Sequence, residues 1–216
     1  MPDPQAHAPP KPVVETLSSM IFGLALSVGA ITLVGNVGSI TTTQDLMGKI
    51  SVFGFSFLIL ISVWIRYSKI MSLLPLENRL MILFYITLLF TVSLEPFLLN
   101  VLQLGYSGIK DVASQLYAVD LGVMMLIMGG FTFVLANEER DLIPKSSIRE
   151  FKIQTFTFFL AGALFFLSTS EIFWTPGPYG LYWRFYLWIG PPVVSFIRKR
   201  TVTMWGGVRR ALRKTS

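Results

Sequence analysis

Cysteine is absent from this chain, which excludes disulfides and thiolate metal sites. Histidine occurs once, as His7, in a proline-rich N-terminal stretch (MPDPQAHAPPKP) that offers it no partner for a triad or a zinc site. Charge is also scarce. Asp, Glu, Lys and Arg make up 14% of the 216 residues, against about 25% in an ordinary soluble domain. Glu138, Glu139 and Asp141 share one segment with Arg140, Lys145 and Arg149, the pattern of a solvated, self-neutralising loop. No catalytic constellation is left, so neither an enzyme nor a cofactor is expected.

In place of charge there is apolar length. Hydrophobic residues make up 53% of the chain and the mean hydropathy is +0.62. A bilayer core about 30 Å thick takes roughly 20 apolar residues per helix. Six segments meet that length, at about 13–35, 48–70, 80–103, 112–136, 150–171 and 179–200. The expected fold is all-α: a polytopic membrane protein of six transmembrane helices. A tail at 1–12 precedes the helical domain at 13–200, and a basic tail at 201–216 follows it. Pro75 breaks the second connection, and WTPGPYG forms a tight fifth turn. The opening dozen residues are polar rather than signal-like, so the first helix is expected to stay as an anchor.

The net charge of +6 is unevenly placed. With both termini cytoplasmic, fifteen Lys and Arg fall on the cytoplasmic side, and only Lys49, Lys110 and Arg184 fall near the outside. That bias is a positive-inside topology and not a nucleic-acid footprint. The tail FIRKRTVTMWGGVRRALRKTS places Trp205, Val208 and Leu212 on one helical face and basic residues elsewhere. Such a helix suits an anionic lipid surface, although Gly206-Gly207 weakens it and a frayed basic tail explains it as well.

Three ionisable residues lie inside spans, where each is costly and a functional candidate: Glu95, Asp120 and Arg184. A pairing of Arg184 with Asp120 or Glu95 would hold the bundle together; a cation relay is the sharper alternative. Pro96 follows Glu95 and is expected to bend the third helix. Trp64, Tyr67, Trp174, Tyr179, Tyr182, Trp183 and Tyr186 sit near span ends, as an interfacial aromatic belt requires. TLVGNVG at 32–38 looks like a carbonyl-lined potassium filter, but it ends a full-length span instead of following a re-entrant helix.

Several landmarks in order carry a resemblance. VVETLSSMIFGLALS opens the first span, SFLILISVWIRYSKIMSLL (56–74) the second, LLFTVSLEPFLLNVL (88–102) the third and QLYAVDLGVMML (115–126) the fourth. Together they resemble the transmembrane protein 175 family. Those are six-span prokaryotic potassium channels, with doubled relatives in animal endosomes and lysosomes. Trp64 stands at the family's tryptophan, Tyr67 where histidine is usual, and Glu95-Pro96-Phe97 at the Leu-Pro-Phe segment. The family's Arg-x-x-x-Phe-Ser-Asp-Gly hallmark is incomplete. Val13, Leu17, Ser19 and Met20 replace its Arg, Phe, Asp and Gly, and Ser18 and Ser19 mark the remnant.

The resemblance implies a homo-tetrameric channel for potassium or other monovalent cations, lined by the first span. Leu24 falls on the family's constriction, with Val28 and Ile31 as further layers, and Ser27 falls on the polar selectivity position. Helix geometry independently puts 24, 28 and 31 on one face with Ser27 beside them. Two rival readings are a non-conducting scaffold of the same fold and a proton-coupled carrier using Glu95 and Asp120. The expected location is a multi-pass position in a prokaryotic plasma membrane.

Overall fold

The computed structural model describes residues 11–35, 38, 40–74, 79–103, 110–137, 142–175, 183–188 and 190. Helices dominate the described residues, and no strand occurs among them. Five helices are long and apolar enough to cross a membrane: α1 (Lys11–Gly35), α2 (Thr43–Met71), α3 (Arg79–Gln103), α4 (Lys110–Leu135) and α5 (Lys145–Leu167). A short 3₁₀ turn, Glu171–Trp174, follows. In the expected sixth span, residues 183–188 are helical. Residues 11 and 12 of the expected N-terminal tail already belong to α1, while residues 1–10, the basic tail, the rest of the sixth span apart from residue 190 and the WTPGPYG turn from Pro176 onward lie outside the described residues.

All five helices begin earlier than hydropathy places them, α2 and α5 by five residues each. α2 starts at Thr43 because Thr42 caps it. The Asp45 amide donates to the Thr42 hydroxyl at 3.1 Å, and the Thr42 amide donates to the Asp45 carboxylate at 3.1 Å. This reciprocal pair satisfies two donors that the first turn would otherwise leave open. α5 starts at Lys145, directly after Pro144, so its first turn is built from Lys145, Ser146 and Ser147 rather than from apolar residues. Pro96 sits inside α3, which continues as one helix to Gln103.

α4 is the middle of the bundle. It packs on α3 on one side and on α5 on the other, while α1 leans on α3 and α2. Close approach of α4 and α5 depends on missing side chains. A Cβ on Gly162 would meet Leu126 at 2.9 Å and the Gly122 carbonyl oxygen at 3.2 Å. Small residues at such a crossing let two backbones pack where hydrocarbon offers no hydrophobic drive for association. The core between the helices holds Phe22, Leu60, Leu88, Leu121, Met124, Phe131 and Phe165, all essentially inaccessible.

Candidate functional site

α1 divides into two faces. Val14, Ser18, Phe22, Ala25 and Gly29 turn inward at helical spacing and are buried. Leu17, Met20, Leu24, Val28, Ile31 and Val34 turn outward. Leu24 is 65% exposed, Val28 37% and Ile31 67%, so the three residues form an open apolar stripe on the side away from α2 and α3. Ser27 shares the open side and donates its hydroxyl to the Gly23 carbonyl at 2.8 Å. That back-bond occupies the hydroxyl proton and leaves the oxygen lone pairs as acceptors facing outward.

The inward face ends in a polar node. Ser18 is 1% exposed. Its hydroxyl donates to the Val14 carbonyl at 2.7 Å and lies 2.7 Å from the Tyr67 hydroxyl, which can donate to it. Tyr85 donates to the same Val14 carbonyl at 3.3 Å and lies 3.4 Å from Ser18. One serine thereby ties α1 to α2 and α3. Its neighbour Ser19 is exposed, so the two remnant serines fall on opposite sides of the helix. Tyr67, expected in the interfacial belt, is instead buried, because its hydroxyl has a partner within the bundle and its ring lies 5.7 Å from Phe22.

A second polar node lies further along the same helices. Ser56 on α2 and Tyr117 on α4 both donate to Glu95 Oε1 on α3, the latter at 3.2 Å. Asp120, one turn from Tyr117, is within electrostatic range of Glu95. Ten residues separate Tyr85 from Glu95 on α3, and eleven separate Ser56 from Tyr67 on α2. At 1.5 Å per residue the two nodes stand about 15 Å apart along the bundle.

The structure sets Asp120 one helical turn from Tyr117, which donates to Glu95, and gives Arg184 the acidic partner Asp111. Arg184 is buried and its guanidinium reaches the half-exposed Asp111 at 3.3 Å. It also lies 5.1 Å over the Trp174 ring and 5.6 Å over the Phe185 ring, so cation–π contacts supplement the ion pair. Asp111 opens α4 nine residues before Asp120, about 13 Å away along the helix. The pairing expected from sequence, with Asp120 or Glu95, is thus replaced by one nearer the helix end, where water meets one partner and lowers the cost of charge.

Sequence reasoning also missed Ser56, Tyr117 and Trp188. Trp188 is buried, donates its indole N–H to Ser168 at 2.8 Å, and packs on Tyr117 at 5.5 Å and Phe185 at 4.9 Å. A tryptophan nine residues inside the expected sixth span carried the only available signal, since belt residues lie at span ends. Ser56 carried none, because a serine in a membrane helix ordinarily bonds its own preceding turn.

The sequence matches no protein-family model and no curated protein. The backbone does match a solved structure, the crystal structure of a lysosomal potassium-selective channel TMEM175 homolog from Chamaesiphon minutus. The TM-score is 0.54 at 19% identity, over 74% of this chain and 88% of that one. The fold is TMEM175-like. At this identity the likeness is one of architecture, that of a multi-pass helical membrane chain.

Proposed function

We propose that this chain is the subunit of a potassium-permeable cation channel, a homo-tetramer with both termini cytoplasmic and α1 lining the central pore. The observation that carries the reading is the open face of α1. Leu24, Val28 and Ile31 are stacked along it and point away from the helices that hold α1 in place. Four copies around an axis would close these side chains into rings, and an apolar ring gates by excluding water. Ser27, on the same open side, would supply the polar layer. The likeness to a potassium-selective channel homologue supports the same reading through the fold. The basic C-terminal tail would rest on anionic lipid at the cytoplasmic face of a prokaryotic plasma membrane.

Flux of potassium in liposomes reconstituted with purified protein tests this. Leu24→Asn would wet the narrowest ring. A barrier lowered by about 1.4 kcal/mol corresponds to roughly tenfold in rate, so an increase of that order is expected. A monomeric protein, or no flux under any gradient with either side chain at 24, would overturn the proposal and leave a non-conducting scaffold of this fold.

A further inference from the structure

Glu95 and Asp120 play no part in the pore reading, since neither lies on α1, yet each is buried among membrane-spanning helices. Their surroundings differ. Glu95 Oε1 accepts two hydroxyls, from Ser56 and Tyr117, which is how a buried ionised carboxylate is accommodated. Asp120 is only 5% exposed, and its Oδ2 is shut off from solvent with no hydrogen-bond donor among the described residues.

Among the described residues, the groups that hydrogen-bond at the pair are neutral hydroxyls. α2 contributes the neutral Ser56, α3 contributes Glu95, and α4 contributes Tyr117 and Asp120. The start of the sixth span contributes Trp188, packed on Tyr117. The carboxylate that Arg184 reaches is Asp111, about 13 Å along α4 from Asp120. Two carboxylates in low dielectric repel each other, and each carries a desolvation penalty of several kcal/mol. An unpartnered buried carboxylate oxygen, one helical turn from the Tyr117 that serves a second buried carboxylate, is an arrangement that one proton completes.

We infer that Glu95 and Asp120 form a proton-binding site inside each protomer, with one exchangeable proton on the Asp120 carboxyl and Glu95 as the ionised acceptor. Release breaks one O–H bond, sends the proton to water and leaves two carboxylates, with no electron transferred. It also sets two like charges between α3 and α4. Because α1 rests on α3, the position of α1 then responds to pH from a site off its open face. The inference stands whether or not the protein conducts.

Infrared spectra of the purified full-length protein in detergent, in H₂O and D₂O, test it without any transport assay. At pH 7 the wild type is expected to show the deuterium-sensitive C=O stretch of one protonated carboxyl per chain. Asp120→Asn is expected to abolish it and Asp111→Asn to retain it. Glu95→Gln is expected to move the pH at which the band is lost, which keeps the test decisive if Asp120→Asn fails to fold. Absence of the band in wild type, an undiminished band in Asp120→Asn, or an unmoved titration in Glu95→Gln would overturn the site. So would an alkali ion in its place: unfolding midpoints that rise with Na⁺ or K⁺ over a large organic cation in wild type but not in Asp120→Asn.

Discussion

α1 and α4 are nearly equal in length and both long and apolar enough to span a membrane, yet they are used in opposite ways. In the most apolar stretch of each, 61% of α4 is buried within the chain but only 22% of α1. Hydropathy measures whether a helix leaves water; it does not say what replaces the water. For α4 the replacement is other helices on both sides. For α1 it is α2 and α3 on one face and, among the described residues, no other helix on the opposite one. A helix held firmly along one face with an open apolar stripe on the opposite one is built to meet lipid or further copies of itself.

The sharpest way to break that contrast is to truncate neighbouring residues on the two faces of α1. Phe22 is 1% exposed with its ring tilted against Tyr67, whereas Leu24 is open. Phe22→Ala leaves a cavity and is expected to cost the protomer about 3 kcal/mol. Leu24→Ala truncates a side chain that is 65% exposed among the described residues, and its effect on protomer unfolding is expected to stay within about 0.5 kcal/mol. Detergent-solubilised unfolding curves would read both. Equal losses would mean that the open face is covered in a way the protomer does not reveal.

Glycines give a second, smaller contrast. A Cβ at Gly162 would press on Leu126 and on the Gly122 backbone, while one at Gly23 would meet nothing within 4 Å. Gly162→Ala is therefore expected to destabilise by about 2 kcal/mol through overpacking of α4 against α5. Gly23→Ala is expected to stabilise α1 by up to about 1 kcal/mol through helix propensity. Reading both by thermal unfolding separates the protomer from its assembly. If Gly23→Ala leaves the fold intact but shifts the oligomer to smaller species on size exclusion, the small residues on the open face are packing contacts between copies.

The helices themselves were legible in the sequence, because a 20-residue apolar run has one physical outcome in a bilayer. Their ends were legible only in part. The Thr-x-x-Asp that caps α2 was visible at 42–45, but hydropathy alone counts Thr43 to Met47 as loop. Partners were the hidden layer. That Tyr67 turns inward to Ser18, that Arg184 takes Asp111, and that Ser56 reaches Glu95 depend on the rotation of each helix and its height beside the next. Neither is encoded in local composition. Glu95 and Asp120 stood out because charge inside a span is rare; the serine and tyrosine that serve Glu95 did not, because such residues are common there.

The smallest expected effect bears on how the two faces of α1 are connected. Ser18 is the point where the inward face is tied to both neighbours, through Tyr67 at 2.7 Å and the Val14 carbonyl shared with Tyr85. Ser18→Ala removes the acceptor of Tyr67, and Tyr67→Phe removes the donor while keeping the ring against Phe22. A double-mutant cycle isolates the bond, and interhelical hydrogen bonds in membranes average about 0.6 kcal/mol, so a coupling of that order is expected. A coupling indistinguishable from zero would mean that ring packing alone holds α1 to α2. A measurable one makes the Ser18–Tyr67 bond a tie between α1 and α2. In the proposed channel, a tie of that size would also suit a helix whose open face shifts. It is strong enough to set the resting orientation of Leu24 and Ile31, and it is small beside the ~3 kcal/mol that packing of Phe22 contributes.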